Sequence, residues 1–205
     1  MVEWLVLVAF VPAALALNLT PGADMMFCLG QGLRSGPWPA VSASGGIALG
    51  GFFHALAAGL GLSAVISALP WAFDVIRWVG VGYLLWLAWQ SLRSGPVRAQ
   101  GGALSAGRAF TQGLMVNLTN PKYILFILAF VPQFVDPSRA VLWQFLIFGL
   151  VLSFGGFVIN GLIGVFAGGI GRKLAGDAKF ATWLGRVSAG IFVVLAARLA
   201  LMQRG

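Results

Sequence analysis

The sequence predicts an all-α integral membrane protein of about six transmembrane helices, and two observations carry this prediction. First, 60% of the 205 residues are hydrophobic and only 9% are charged, whereas soluble domains have roughly 25% charged residues. Second, the chain divides into apolar runs, each long enough for the roughly 20 residues that a spanning helix needs. Because about six such spans with short connections use up the chain, we expect a single transmembrane domain, residues 1–205.

The apolar runs define the expected helices. The first run is interrupted at Thr20-Pro21-Gly22 and the fourth at Asn120-Pro121, whereas the other runs are continuous. A polar segment between the third and fourth runs, residues 93–108, is the predicted linker. In chain order the runs cover residues 4–33, 39–69, 71–92, 109–135, 140–170 and 180–202.

The basic residues predict how the chain lies in the membrane. Connections rich in Lys and Arg face the cytoplasm, so we expect a multi-pass protein of the cell (inner) membrane with both termini outside. We assign the formal net charge of +8 to this orientation and expect no nucleic-acid partner. The residues counted are Arg34, Arg93, Arg98, Arg108, Arg172, Lys173 and Lys179 on the cytoplasmic side, and Arg139 and Arg204 on the other side.

The two interrupted runs resemble each other, which indicates an internal repeat. Asn18-Leu19-Thr20-Pro21 in the first run is echoed by Asn117-Leu118-Thr119-Asn120-Pro121 in the fourth. The halves, residues 1–92 and 109–205, then contain three helices each, and three crossings place two tandem copies in opposite orientations. We therefore predict two inverted three-helix repeats with broken first helices, an arrangement that marks transporter binding sites. The alternative is two unrelated proline kinks, which are common in membrane helices.

Each break combines freed backbone groups with a charged residue. Proline removes a backbone N–H, and the groups this leaves need partners in protein or a watery cavity. Asp24 follows the first break and Lys122 the second; because either charge facing lipid would cost about 2.5–3.5 kcal/mol, both should face the interior. Such a site suits a zwitterion, with Asp24 on its amine and Lys122 on its carboxylate. The alternative is an Asp24–Lys122 structural pair that does not touch the solute.

Asp24 is also the proton-coupling candidate, because the other acidic residues lie near run ends. Burial would favour its neutral form and a nearby Lys122 its charged form, so the sequence leaves the balance open. Gly46 and Gly50 share one helical face with His54, and we assign the two glycines to helix packing. His54 is either a cavity residue or a buried hydrogen-bond donor. The predicted substrate-binding residues are Thr20, Pro21, Gly22, Asp24, His54, Asn117, Asn120, Pro121 and Lys122.

Several stretches resemble the LysE family of amino-acid exporters, particularly its homoserine/threonine efflux branch (RhtB). Thr20-Pro21-Gly22-Ala23-Asp24 is similar to the family's Thr/Ser-Pro-Gly-Pro-Asn/Asp signature, with Ala23 in place of the usual proline. The other similar stretches follow in family order and are residues 46–54, 82–87, 117–122 and 130–134. The resemblance implies a secondary transporter that exports an amino acid or amino-acid derivative from the cytoplasm, driven by the proton gradient.

Other classes of function fit the sequence less well. A membrane enzyme needs a nucleophile with its base or a metal cluster, and the composition makes both hard to assemble; we expect no enzyme, metal or cofactor. A metal-cation exporter needs several carboxylate ligands, and the interior offers Asp24 almost alone. A subunit that only binds partner helices has no need of charges beside two helix breaks. The expected partners are an amino acid and membrane lipid, and the glycine faces leave a homodimer open.

Overall fold

The computed structural model describes residues 2–68, 72–93, 99–167 and 177–201. Within these ranges the chain is helical and forms no strand, so the all-α prediction is confirmed. Arg98, Arg172, Lys173, Arg204 and the predicted run ends at 168–170 and 202 lie outside the described residues. The helices are α1 (Trp4–Leu19), α2 (Ala23–Ser35), α3 (Pro37–Ala68), α4 (Ala72–Arg93), α5 (Ala106–Leu118), α6 (Pro121–Ala129), a short 3-10 helix (Val131–Phe134), α7 (Val141–Val165) and α8 (Ala178–Leu201).

Five candidate membrane spans coincide with five of the six predicted runs. Within the described ranges, α3, α7 and α8 are each long and apolar enough to cross a membrane. Two further candidates are broken: α1 and α2 are bent by 56°, and α5 and the segment Pro121–Phe134 by 52°. The remaining run corresponds to α4, which carries Asp74, Arg77 and Arg93 and is not among these candidates. The six-span count therefore stays a prediction.

The local sequence explains where the helices break. α1 ends at Leu19, and the hydroxyl of Thr20 turns back to donate to the carbonyl of Ala16 at 2.6 Å. At the second break the side-chain oxygen of Asn120 accepts from the backbone N–H of Lys122 at 3.1 Å, which caps the start of α6. Pro121 takes the first helical position, where its missing N–H leaves no helical bond unmade.

The described part of the predicted linker runs along α2 as an extended segment, residues 99–105. The backbone N–H of Gln100 donates to the backbone carbonyl of Met26 at 3.2 Å. The side-chain amide of Gln31 donates to the carbonyl of Gly102 at 3.0 Å. Gly101 has φ +85°, a conformation that favours glycine. Since α5 already begins at Ala106, the described connection is shorter than predicted. These bonds join the segment to α2, the second half of the broken first span.

Glycines on α3 allow close contact with α5. A Cβ at Gly46 would collide with the carbonyl oxygen of Phe110, so the two backbones meet at this point. A Cβ at Gly50 would lie 2.8 Å from the side-chain oxygen of Asn117. Gly46 therefore permits backbone contact, whereas Gly50 also makes room for the side chain of a candidate site residue.

Replacing Gly46 with alanine should lower the thermal unfolding midpoint, because the added methyl group forces α3 and α5 apart at an overpacking cost of about 1–3 kcal/mol. Gly82→Ala is the matched control, since a Cβ at that helical position meets nothing within 4 Å. Fluorescence-monitored melting of the purified protein in detergent compares the two. A G46A midpoint equal to that of the wild type would contradict the close contact.

Candidate functional site

The two helix breaks meet through the side chain of Lys122. Its Nζ donates to the carbonyl oxygens of Leu17 at 3.0 Å and Thr20 at 2.8 Å. In a continuous helix the Leu17 carbonyl would accept from residue 21, but Pro21 has no N–H to give. The Lys122 ammonium therefore supplies the missing donor, at the end of α1 where the helix dipole is negative.

Asp24 of the first half is contacted by asparagines of the second half. It lies in the first turn of α2 and is only 8% exposed. One carboxyl oxygen accepts from the Asn117 amide at 3.0 Å, whereas the other has no hydrogen-bond partner in the described part of the chain. The Asn120 amide also lies near this carboxyl, without a hydrogen bond of standard geometry. The second half thus places asparagine side chains on Asp24, whereas the first half binds Lys122 through backbone carbonyls.

Asp24 and Lys122 do not form a direct ion pair. No contact within 4.0 Å joins their charged groups among the described residues, although their charges attract each other. Lys122 is instead bonded to the end of α1, and Asp24 to Asn117. The carboxylate is therefore not neutralised by contact with the nearest cation, which leaves it able to bind an outside one.

A small closed cavity lies between the breaks. Its volume is about 10 Å³, which is room for about one water molecule and not for an amino acid. A solute can therefore enter this site only if the surrounding helices move. The lining residues are Leu17, Asn18, Thr20, Asp24, Met25, Lys122, Tyr123 and Asn160.

Unpartnered acceptors outnumber unpartnered donors around this cavity. Among the described residues that line it, Asp24 and Asn160 each carry a buried oxygen without a hydrogen-bond partner, and none carries such a donor. A buried polar group left unpaired costs about 1–3 kcal/mol. A ligand group with several N–H donors and no acceptor, such as an ammonium, would satisfy these oxygens.

The other predicted residues either form the helix breaks or contact a residue that binds Asp24. Gly22 leaves space for Lys122, since a Cβ there would lie 3.1 Å from Nζ. Pro21 and Pro121 set the helix ends. His54 does not line the closed cavity; its Nε2 is 3.2 Å from the backbone oxygen of Asn117, so it supports a residue that holds Asp24.

The structure adds residues that the sequence reasoning did not place in the site. The Asn18 amide donates to the Leu152 carbonyl at 3.0 Å, and the Tyr83 hydroxyl donates to the Lys122 carbonyl at 2.6 Å. Tyr123 lines the cavity with its hydroxyl 3.3 Å from Ser153 Oγ. Asn18 could have been found, because it occupies the position in the repeated motif that matches Asn117.

The described residues contain no group of three or more His, Cys, Asp or Glu that could hold a metal ion. The polar groups at the breaks are instead amides, one carboxylate, one ammonium and backbone carbonyls. These groups bind organic ions through hydrogen bonds and charge.

Comparison with known proteins identifies the family. The family of LysE type translocators matches residues 15–203. The chain belongs to this family. The resemblance drawn from the sequence motifs is thereby confirmed, and no solved structure matches the chain.

Relatives of this LysE type translocator include named efflux proteins. A homoserine/homoserine lactone efflux protein of Salmonella typhimurium is 32% identical over 69% of this chain and 70% of its own length. A leucine efflux protein of Enterobacter sp. is 32% identical over 93% of both chains. An uncharacterised membrane protein of Vibrio cholerae is 34% identical over 69% of this chain and 71% of its own length.

Replacing Lys122 with methionine should lower the thermal midpoint, because the carbonyls of Leu17 and Thr20 lose their donor at about 1–3 kcal/mol for each unsatisfied group. Lys179→Met is the matched control, since Lys179 is exposed at the start of α8. Melting in detergent measures both variants. If K122M unfolds at the wild-type temperature, the Lys122 bonds do not hold the two breaks together.

Proposed function

We propose that this LysE type translocator is a secondary transporter that exports a neutral amino acid or amino-acid derivative from the cytoplasm in exchange for protons. The observation that carries the proposal is the Asp24 carboxylate, buried between the two helix breaks beside unpartnered amide oxygens. The relatives named for homoserine, homoserine lactone and leucine efflux support this substrate class.

The zwitterion binds with its two charges on different parts of the site. Its ammonium donates to the free oxygen of Asp24 and to the amide oxygen of Asn160, both of which line the cavity. Its carboxylate accepts from the first turn of α2, whose N–H groups have no side-chain cap, and from the third N–H of Lys122, which uses two on α1. The side chain of the solute then lies against the apolar wall that Leu17 and Met25 provide.

Proton exchange follows from competition for Asp24. A protonated Asp24 donates its own hydroxyl to a neighbouring amide oxygen, in the place that the solute ammonium would take. A charged Asp24 receives the ammonium instead. Proton and solute therefore occupy the site alternately, which is the requirement for antiport.

Alternating access follows from the proposed inverted repeat. We assign α1–α2, α3 and α4 to the first unit, and α5–α6, α7 and α8 to the second, with the connection between Arg93 and Ala106 as the linker and both termini outside. Helices in matching positions contact each other, α3 with α7 and α4 with α8, and this pairing supports a twofold relation between the units. α4 then completes six spans. Rocking of one unit against the other exposes the central site to each side in turn.

Asp24→Asn should abolish proton-driven export while leaving the protein folded, because asparagine keeps the shape but cannot exchange a proton. Asp177→Asn is the matched control: Asp177 caps α8 through backbone bonds to Lys179 and Phe180, and asparagine caps equally well. Labelled L-leucine and other neutral amino acids, screened singly in everted membrane vesicles with and without a pH gradient, report the flux. Gradient-driven export by D24N would show that Asp24 is not the group that exchanges the proton.

The ammonium contact predicts which analogues compete. Unlabelled L-leucine should inhibit the flux of labelled L-leucine, whereas 2-hydroxy-4-methylpentanoate should not, because it keeps the carboxylate and side chain but lacks the ammonium. Inhibition constants in the same vesicles measure the difference. Equal inhibition by both compounds would show that the acceptors around Asp24 do not bind the amine.

A further inference from the structure

A second, larger cavity lies at the end of the bundle where α1 begins and α8 ends. Its volume is about 380 Å³, which falls in the range of small-molecule sites. The walls come from the first half of α1, the segment from Phe130 to Asp136, and the last turns of α8. Most of the lining is apolar, and Leu5, Phe134 and Leu199 belong to it.

Two polar side chains that line this cavity have unused hydrogen-bonding capacity. Arg198 on α8 is exposed and has no ion pair or hydrogen bond with any described residue. Gln133 donates to the Ala129 carbonyl at 3.3 Å, but its side-chain oxygen is buried without a partner. A guanidinium binds a carboxylate through paired hydrogen bonds, and an amide oxygen accepts from an ammonium. The cavity therefore offers one place for each charge of a zwitterion.

The acids near this cavity are already engaged. Asp136 accepts from the Ser138 hydroxyl at 2.6 Å and pairs with Arg139 at 2.9 Å. Hydrogen bonds from Ser138 hold the pKa of the Asp136 carboxyl below its usual range. Glu3 pairs with Arg139 at 2.9 Å. Neither acid neutralises Arg198, which leaves this cation for a ligand.

One broken span connects this cavity to the central site. Lys122 stands at the start of α6, and Phe130 and Gln133 lie in the same segment, Pro121–Phe134, at its other end. Phe130 separates the two spaces together with Phe10 and Phe126, whose rings lie 6.4 Å and 4.8 Å from it. Movement of this segment would change both spaces at once.

We propose that this cavity is a second binding site for the exported amino acid, with the solute carboxylate on Arg198 and its ammonium on the Gln133 oxygen. The inference rests on the proposed function and adds a site that lies apart from the central one. The apolar wall receives the solute side chain. In the proposed orientation the cavity opens to the outside, so the solute occupies it after passing the aromatic residues and before release.

Exchange kinetics test the second site. In right-side-out vesicles, exchange of labelled internal against unlabelled external L-leucine is measured while the leucine concentration is varied on one side at a time. Arg198→Gln should raise the external half-saturation concentration by about tenfold or more, since a charged hydrogen bond is lost. The internal value should stay unchanged, which also shows that the variant is folded. Arg198→Lys, which keeps the charge, should shift the external value less.

Arg186→Gln is the matched control, because Arg186 is exposed near the opposite end of α8. An unchanged external value in R198Q, an equal rise on both sides, or the same shift in R186Q would each overturn the second site. Repeating the assay with and without phosphatidylglycerol distinguishes a lipid: an R198Q effect seen only with that lipid would assign the cavity to a lipid headgroup and overturn the proposal. Absence of amino-acid exchange by the wild type would instead overturn the proposed function itself.

Discussion

The Lys122 ammonium fills the gap that Pro21 leaves in the backbone of the first span. Pro21 cannot donate to the Leu17 carbonyl, and the bilayer interior has no water to take its place. Lys122 donates to this carbonyl and to that of Thr20 from the other half of the chain. The same hydrogen bonds therefore complete the broken helix, satisfy the buried charge and join the two halves. They also hold the two breaks side by side, on either side of the central cavity.

Because Lys122 is hydrogen-bonded to the end of α1, Asp24 keeps a carboxyl oxygen that can still accept a hydrogen bond. In a direct ion pair the two charges would neutralise each other and leave neither one to bind a solute. Instead, Asp24 shares one oxygen with Asn117 and keeps the other unpaired. A carboxylate in this state can hold a proton or an ammonium in turn, which is the physical basis of the proton-coupled export that we propose.

The segment Pro121–Phe134 links the two spaces of the protein because it starts at Lys122 and ends at the wall of the larger cavity. The aromatic residues Phe10 and Phe130 are almost completely buried, and their rings lie 6.4 Å apart. In the proposed mechanism the solute leaves the small central space, passes the aromatic residues and occupies the larger cavity beside Arg198 before its release.

Hydropathy, proline positions and charge by themselves determined the helical membrane class, both breaks and the presence of Asp24 and Lys122 beside them, because these are properties of neighbouring residues. The motifs also determined the family. Only the tertiary structure decided that Lys122 bonds to α1 rather than to Asp24, that Asn117 holds Asp24, and that Arg198 shares a cavity with Gln133. These contacts join residues far apart in the chain, and which donor reaches which acceptor depends on helix packing that no local pattern encodes.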